Sequence, residues 1–214
     1  MYRSVLGHED RVEVDLNYLW RVPLSGVEQQ ELWQPGNLDR PRLQVVSTLE
    51  LCVGKLLAFL DRTAPRDAWD VARLPNIAGQ EIQGNMFRRV FVAFSATLPH
   101  PLQNYTRKQM ETRLTPQTVL EQLLPMLAGV DAPGLDDLME RPWRVLEPLV
   151  QLTAAELEYV ESIHSGEIRP QLLFPDDAIM AKLIHNHPAI CWKLENVRRH
   201  MANGKRTRPK GNVQ

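Results

Sequence analysis

The chain has 214 residues, 43% hydrophobic and 24% charged, enough for a buried core in one domain or two small ones. A net charge of −1 excludes a global positive field, so any RNA contact must come from a local patch. No run of about 18 apolar residues marks a membrane span, and no basic stretch followed by an apolar core marks a signal peptide. Cys52 and Cys191 supply neither a disulfide framework nor zinc spacing, so a cytoplasmic location is expected.

Residues 1–10 are polar and unpatterned. Residues 11–18 alternate, with Val12, Val14, Leu16 and Tyr18 on one side and Arg11, Glu13, Asp15 and Asn17 on the other, the two-residue period of a strand. A strand needs a partner, and residues 43–46 are the nearest candidate. Residues 25–42, holding Gly26, Pro35, Gly36, Asn37 and Pro41, read as a loop. A helix then starts at Ser47, with Glu50 three residues on completing a capping box. Leu49, Cys52, Val53, Leu56, Leu57 and Leu60 recur at helical spacing, and Lys55 is the charge set among them. Pro65 stops this helix near residues 61–62. A second helix carries Asp67 and Asp70 and is expected to end at Pro75.

Residues 77–98 place Ile82, Met86, Val90 and Phe94 on one helical stripe, flanked by Arg88 and Arg89. Residues 106–114 form a short polar helix whose Arg107, Lys108 and Arg113 make a small basic surface. Thr115 caps a helix with Pro116 at its first position, running through Val119, Leu123 and Leu127 to Gly129. Residues 131–134 read as a loop, and 136–151 as a helix interrupted by Pro142 and Pro148. Thr153 and Glu156 form a second capping box, ahead of a helix that stops at Gly166. Pro175 and Asp176 open a helix with Ile179, Met180, Leu183 and Ile184 inward. His185 and His187 diverge at two-residue spacing and mark its end before Pro188, not a metal pair. The last helix turns Ile190, Cys191, Leu194 and Val197 inward, with Trp192 expected to pack. The basic tail from residue 201 is expected to be disordered. With Arg198 and Arg199 it concentrates positive charge able to meet RNA phosphates.

The chemistry lies in the central helix pair. At about 100° per residue, Lys55 falls on the flank of the apolar stripe near Phe59 and Arg62. Asp67 and Asp70 share a face with Val71 and Leu74, so all four are expected to turn inward. Inward charges need partners, because desolvating an unpaired one is costly. The turn can therefore gather Lys55, Arg62, Asp67 and Asp70. Two readings stay open at this point. One is a structural ion pair joining two helices, with Asp67 as an N-cap. The other is a site for a phosphorylated substrate, with Lys55 on phosphate and a carboxylate as base or metal ligand.

Glu50, Lys55–Leu56, Arg62 and then Arg66, Asp67, Asp70 and Val71 fall in a pattern that resembles the AbiEii/AbiGii-type nucleotidyltransferase toxins of bacterial abortive-infection systems. Residues 15–24 resemble the family's strand before the helix, and residues 187–193 its C-terminal signature. The resemblance implies a mostly α fold with a small β component (α+β), the C-terminal part of a nucleotidyltransferase fold plus a helical bundle. It divides the chain into a nucleotidyltransferase remnant at 1–75, a helical domain at 76–200 and a tail at 201–214. It also implies transfer of a nucleotide from a nucleoside triphosphate, with magnesium, to an acceptor such as the 3′ end of tRNA, and a cognate antitoxin as partner. By the same resemblance Lys55 contacts the triphosphate and Asp70, with Asp67 second, orients or deprotonates the acceptor hydroxyl. Arg62 and Arg66 neutralise phosphate, and Asp15 is the metal ligand. The family's Gly-Ser and Asp-x-Asp segment is not found in this sequence. The chain is therefore expected to be a truncated enzyme, with a non-catalytic helical remnant or interaction module as the alternative.

Overall fold

A computed structural model describes the backbone of residues 2–3, 9–10, 18–20, 22–127 and 133–206, and the side chains of residues 18–20, 22–127 and 133–203. Helix α1 (Thr48–Arg62) begins at Ser47, whose Oγ accepts from the Glu50 N–H at 3.3 Å. The expected capping box is not closed. The Glu50 carboxylate instead accepts from the Ser25 N–H at 2.6 Å, which ties the preceding loop to the first turn of α1. The helix ends in a left-handed residue that is not glycine. Thr63 has φ 52°, and its N–H returns to the Phe59 carbonyl. Pro65 then takes the first position of α2 (Pro65–Ala78), where its missing N–H has no intrahelical partner to lose. The two helices are thus joined by Thr63 and Ala64 alone, which fixes how their side chains meet.

Helix α2 does not stop at Pro75. It runs one turn further to Gly79, at φ 51°, whose N–H bonds the Pro75 carbonyl at 3.2 Å. Burial of Leu74 and Ala78 holds that last turn against the proline's lost hydrogen bond. Helix α3 (Asn85–Ser95) is the central element, with Phe87, Val90, Phe91, Val92, Ala93 and Phe94 all buried. Met86, expected inward, is exposed. Helices α4 (Arg107–Arg113) and α5 (Pro116–Gln122) are capped by Thr106 and Thr115. Helix α5 ends well before Gly129 because Pro125 diverts the chain into a 3₁₀ turn; Gly129 itself lies outside the described residues. Helix α6 (Leu135–Val150) continues through both Pro142 and Pro148, contrary to the expected interruption. Leu138, Pro142, Leu146 and Leu149 repeat on its buried face, and packing of that face on α2 outweighs the two absent N–H groups.

Helix α7 (Ala154–His164) starts with the expected capping box of Thr153 and Glu156. Glu156 does more than cap. Its two carboxylate oxygens take the Arg88 guanidinium at 2.6 and 2.7 Å, while Arg88 also donates to the Pro148 and Gln151 carbonyls. One side chain of α3 therefore locks the end of α6 to the start of α7. Helix α8 (Ala178–His185) is capped by the Asp177 carboxylate on the Met180 N–H. Its Ile184 is buried, but Ile179 and Leu183 face outward, against the expected stripe. Helix α9 (Pro188–Arg206) buries Ile190 and Leu194 and exposes Cys191, which was expected inward. It also continues past residue 200, where the tail was expected to begin.

Strands are few. Strands β1 (Tyr2–Arg3) and β2 (Glu9–Asp10) pair antiparallel, as do β3 (Val27–Glu31) and β4 (Arg42–Val46), with Val27 opposite Val46 and Glu31 opposite Arg42. Strand β3 lies in the segment read as loop; all five of its residues are exposed, so it carries no inward–outward signal. The predicted strand at 11–18, with Asp15 and Glu13, lies outside the described residues except for Tyr18, which sits in a bend. Most of the described residues are helical and the strands among them are short and antiparallel, so the fold is mostly α with a minor β component. Leu56 and Val71 share one hydrophobic core with Phe91, Leu146, Tyr159 and Ile190, so helices from both sides of residue 75 pack together. No described helix is long and apolar enough to cross a membrane.

Candidate active site

The two-residue corner between α1 and α2 brings the four expected charges together as two pairs. Lys55 Nζ donates to Asp70 Oδ2 at 2.5 Å. Two turns further along α1, Arg62 grips Asp67 with both ends of its fork, Nη2 to Oδ1 at 2.8 Å and Nε to Oδ2 at 3.2 Å. The pairs differ in setting. Asp67 is buried at 5% side-chain exposure, whereas Asp70 and Lys55 keep 38% and 44%. Asp67 is not an N-cap: α2 starts at Pro65, and its N-cap Ala64 makes no side-chain cap. Arg66 points to solvent and forms no ion pair among the described residues.

Lys55 and Arg62 also line a cleft of about 740 Å³ along the outer face of α1. Gly54 and Ala58, one turn apart beside them, keep that face low and open. The opposite wall is formed by Trp20, Phe94, the Leu98–Pro99 segment and Trp192. The cleft thus sets Lys55 and Arg62, with the carboxylates of Glu50 and Asp61 on the same helix, against a largely apolar and aromatic wall able to take a flat apolar group.

His187 backs that wall from within the core, against Trp20 and Phe94. It is buried, its Nδ1 accepts from the Ala189 N–H at 3.3 Å, and its Nε2 therefore carries the proton and donates to the Val22 carbonyl at 3.0 Å. The Trp20 ring packs on Phe94 and His187 at centroid distances of 4.7 and 5.5 Å. Burial pushes the His187 imidazole below its usual range, against the weaker opposing pull of the Val22 carbonyl. Burial, with Lys193 and His100 nearby, pushes His164 down to about 4. Both folded values lie below those of the unfolded chain, so the folded state binds fewer protons. The stability they contribute is full above pH ~6.5 and is lost as pH falls through the folded values. The melting temperature is therefore expected to drop between pH 6.5 and about 4, and His164→Leu should flatten part of that slope. An unchanged slope in the variant would remove His164 from this account.

The family model for the nucleotidyl transferase AbiEii toxin of type IV toxin–antitoxin systems matches residues 1–141, which include α1, α2 and both ion pairs. The chain belongs to the AbiEii family. It is, on that footing, a nucleotidyltransferase toxin of a type IV toxin–antitoxin system. No curated protein and no solved structure matches the chain. The AbiEii match ends inside α6, so the segment at 187–193 read as a family signature lies beyond it.

Family chemistry implies a divalent metal. Among the described residues no three His, Cys, Asp or Glu side chains converge on a point able to hold one. Asp67 and Asp70 are each engaged by a cation, and Asp15, the expected ligand, lies outside the described residues. The described side chains do not by themselves form a carboxylate cage, so no chemical step is assigned to an ion here. Two members of the site escaped the sequence. Trp20 and Trp192 come to one cleft from opposite ends of the chain, and no local period reports such a meeting.

Proposed function

We propose that the cleft beside α1 receives the triphosphate of a nucleoside triphosphate and that the AbiEii chain passes its nucleotidyl group to an RNA hydroxyl, tRNA being the first candidate. The single observation that carries this reading is the placement of Lys55 and Arg62 on one open helix face, each held from behind by an aspartate. A cation steadied in this way meets phosphate oxygens without first being ordered, and ordering is a large part of what binding costs.

In the proposed reaction the acceptor oxygen bonds to the α-phosphorus and the bond from that phosphorus to its bridging oxygen breaks. Pyrophosphate leaves. The hydroxyl proton goes to Asp70, whose Oδ1 makes no hydrogen bond among the described residues while Oδ2 holds Lys55. Arg62 is assigned to neutralising charge on the leaving phosphates. Arg66, already at the surface, is assigned to the acceptor backbone. A cognate antitoxin is the protein partner, as the family implies.

The test uses the purified full chain with magnesium, tRNA and each of the four α-labelled nucleoside triphosphates in turn. Label retained on tRNA from at least one triphosphate is the expected result. No label from any of the four, on tRNA or on total RNA, would overturn the reading in favour of a non-catalytic interaction module.

A further inference from the structure

Trp192 is the anomaly of the cleft. An indole offers more apolar area than any other side chain and is normally well covered, yet Trp192 is 57% exposed. Among the described residues no ring stacks on it and no hydrogen bond holds it. Its exposure is not the fraying of a helix end. The neighbouring Lys193 Nζ donates to the Leu98 carbonyl at 2.6 Å, and Ile190 and Leu194 on either side are buried in the core. Helix α9 is therefore held in rotation, and Trp192 is presented to the cleft. Ala189, one turn earlier on the same face, leaves open floor beneath the indole.

Resting on the nucleotide reading above, we propose that Trp192 is the stacking platform for the base of the incoming nucleoside triphosphate. Both ends of such a ligand find partners in the cleft, which Glu50 and Asp61 also line, so the polyphosphate is assigned to the two cations as its magnesium complex. Lys55 and Arg62 supply cations for the polyphosphate, and the exposed indole supplies a flat apolar face for the base. Trp20 differs in role. It is already packed on Phe94 and His187 and serves as fixed wall. Every base has a π-face, so stacking confers affinity with little choice among bases, and purines gain most through their larger surface.

The experiment is calorimetric binding of magnesium–ATP and of inorganic tripolyphosphate to the full chain and to its Trp192→Ala, Trp192→Phe and Lys55→Ala variants, with binding of a short single-stranded RNA as a third titration. Trp192→Ala is expected to weaken ATP about tenfold or more while leaving tripolyphosphate unchanged. Trp192→Phe should recover most of the loss, and Lys55→Ala should weaken both anions. Equal ATP affinity in wild type and Trp192→Ala would overturn the platform and leave the nucleotide reading standing. An equal loss of ATP and tripolyphosphate in Trp192→Ala, or a loss confined to RNA, would also overturn it. If the wild-type chain binds neither anion, the platform and the nucleotide reading fall together.

Discussion

Replacing Arg88 by methionine is expected to cost about 3–5 kcal/mol of folding stability, the range for removing one partner of a buried ion pair. Arg88 and Glu156 retain only 24% and 8% side-chain exposure, so the carboxylate left behind is largely cut off from water. The substitution strands the Glu156 carboxylate and also frees the carbonyls of Pro148 and Gln151, both of which Arg88 now satisfies. The expected drop in melting temperature is roughly 10 °C for a chain of this size. Burial alone would raise the Glu156 carboxyl. The Arg88 hydrogen bonds, followed by the Thr153 N–H, outweigh it and hold the group below the usual carboxylate range. A depressed carboxyl contributes its stability above the unfolded value of about 4.5 and loses it as pH falls through the folded one. Wild type should therefore lose stability on acidification more steeply than the doubly apolar Arg88→Met/Glu156→Leu chain. The double variant should also be more stable than Arg88→Met alone, because it leaves no buried charge unpaired. Equal melting temperatures for wild type and Arg88→Met would refute the clamp.

That clamp shows where the sequence stops being legible. Lys55, Arg62, Asp67 and Asp70 lie within sixteen residues, and Pro65 restricts the turn between them. Helical spacing alone could bring these four charges together, and the pairs Lys55–Asp70 and Arg62–Asp67 are what results. Capping boxes and proline starts are equally local, which is why Thr115 and Thr153 open helices as read. Arg88 reaches Glu156 across 68 positions and His187 reaches Val22 across 165. No periodicity encodes such meetings. The prolines of α6 went wrong for a related reason: their local cost is real, but tertiary burial on α2 decides the outcome. Cys191 was read as inward and Trp192 as packed because an apolar residue on a helix is usually core. The anchoring of Lys193 to the Leu98 carbonyl turns them out instead.

Three variants of the central pairs separate chemistry from architecture. Lys55→Ala and Asp70→Asn are expected to lower nucleotide transfer to RNA by about a hundredfold or more, the scale for losing one preorganised charge or donor at a reacting phosphate. Neither should move the melting temperature appreciably. Their pair is two-fifths exposed, and an ion pair in that setting is worth only about 0–1 kcal/mol to folding. Asp67→Asn should behave in the opposite way. Its carboxylate is 95% covered and accepts both prongs of Arg62, so the change should lower stability by about 1.5–3 kcal/mol, the range for a hydrogen bond to a charged group. The chain that remains folded should still transfer nucleotide. Transfer and melting temperature measured on the same three preparations decide the matter. If Asp70→Asn melts early and transfers normally, Asp70 is a strut between α1 and α2 and the proton acceptor must be sought elsewhere. If Asp67→Asn is inactive at unchanged stability, the buried pair is the reactive one, and Arg62 must swing away from Asp67 before an acceptor hydroxyl can reach it.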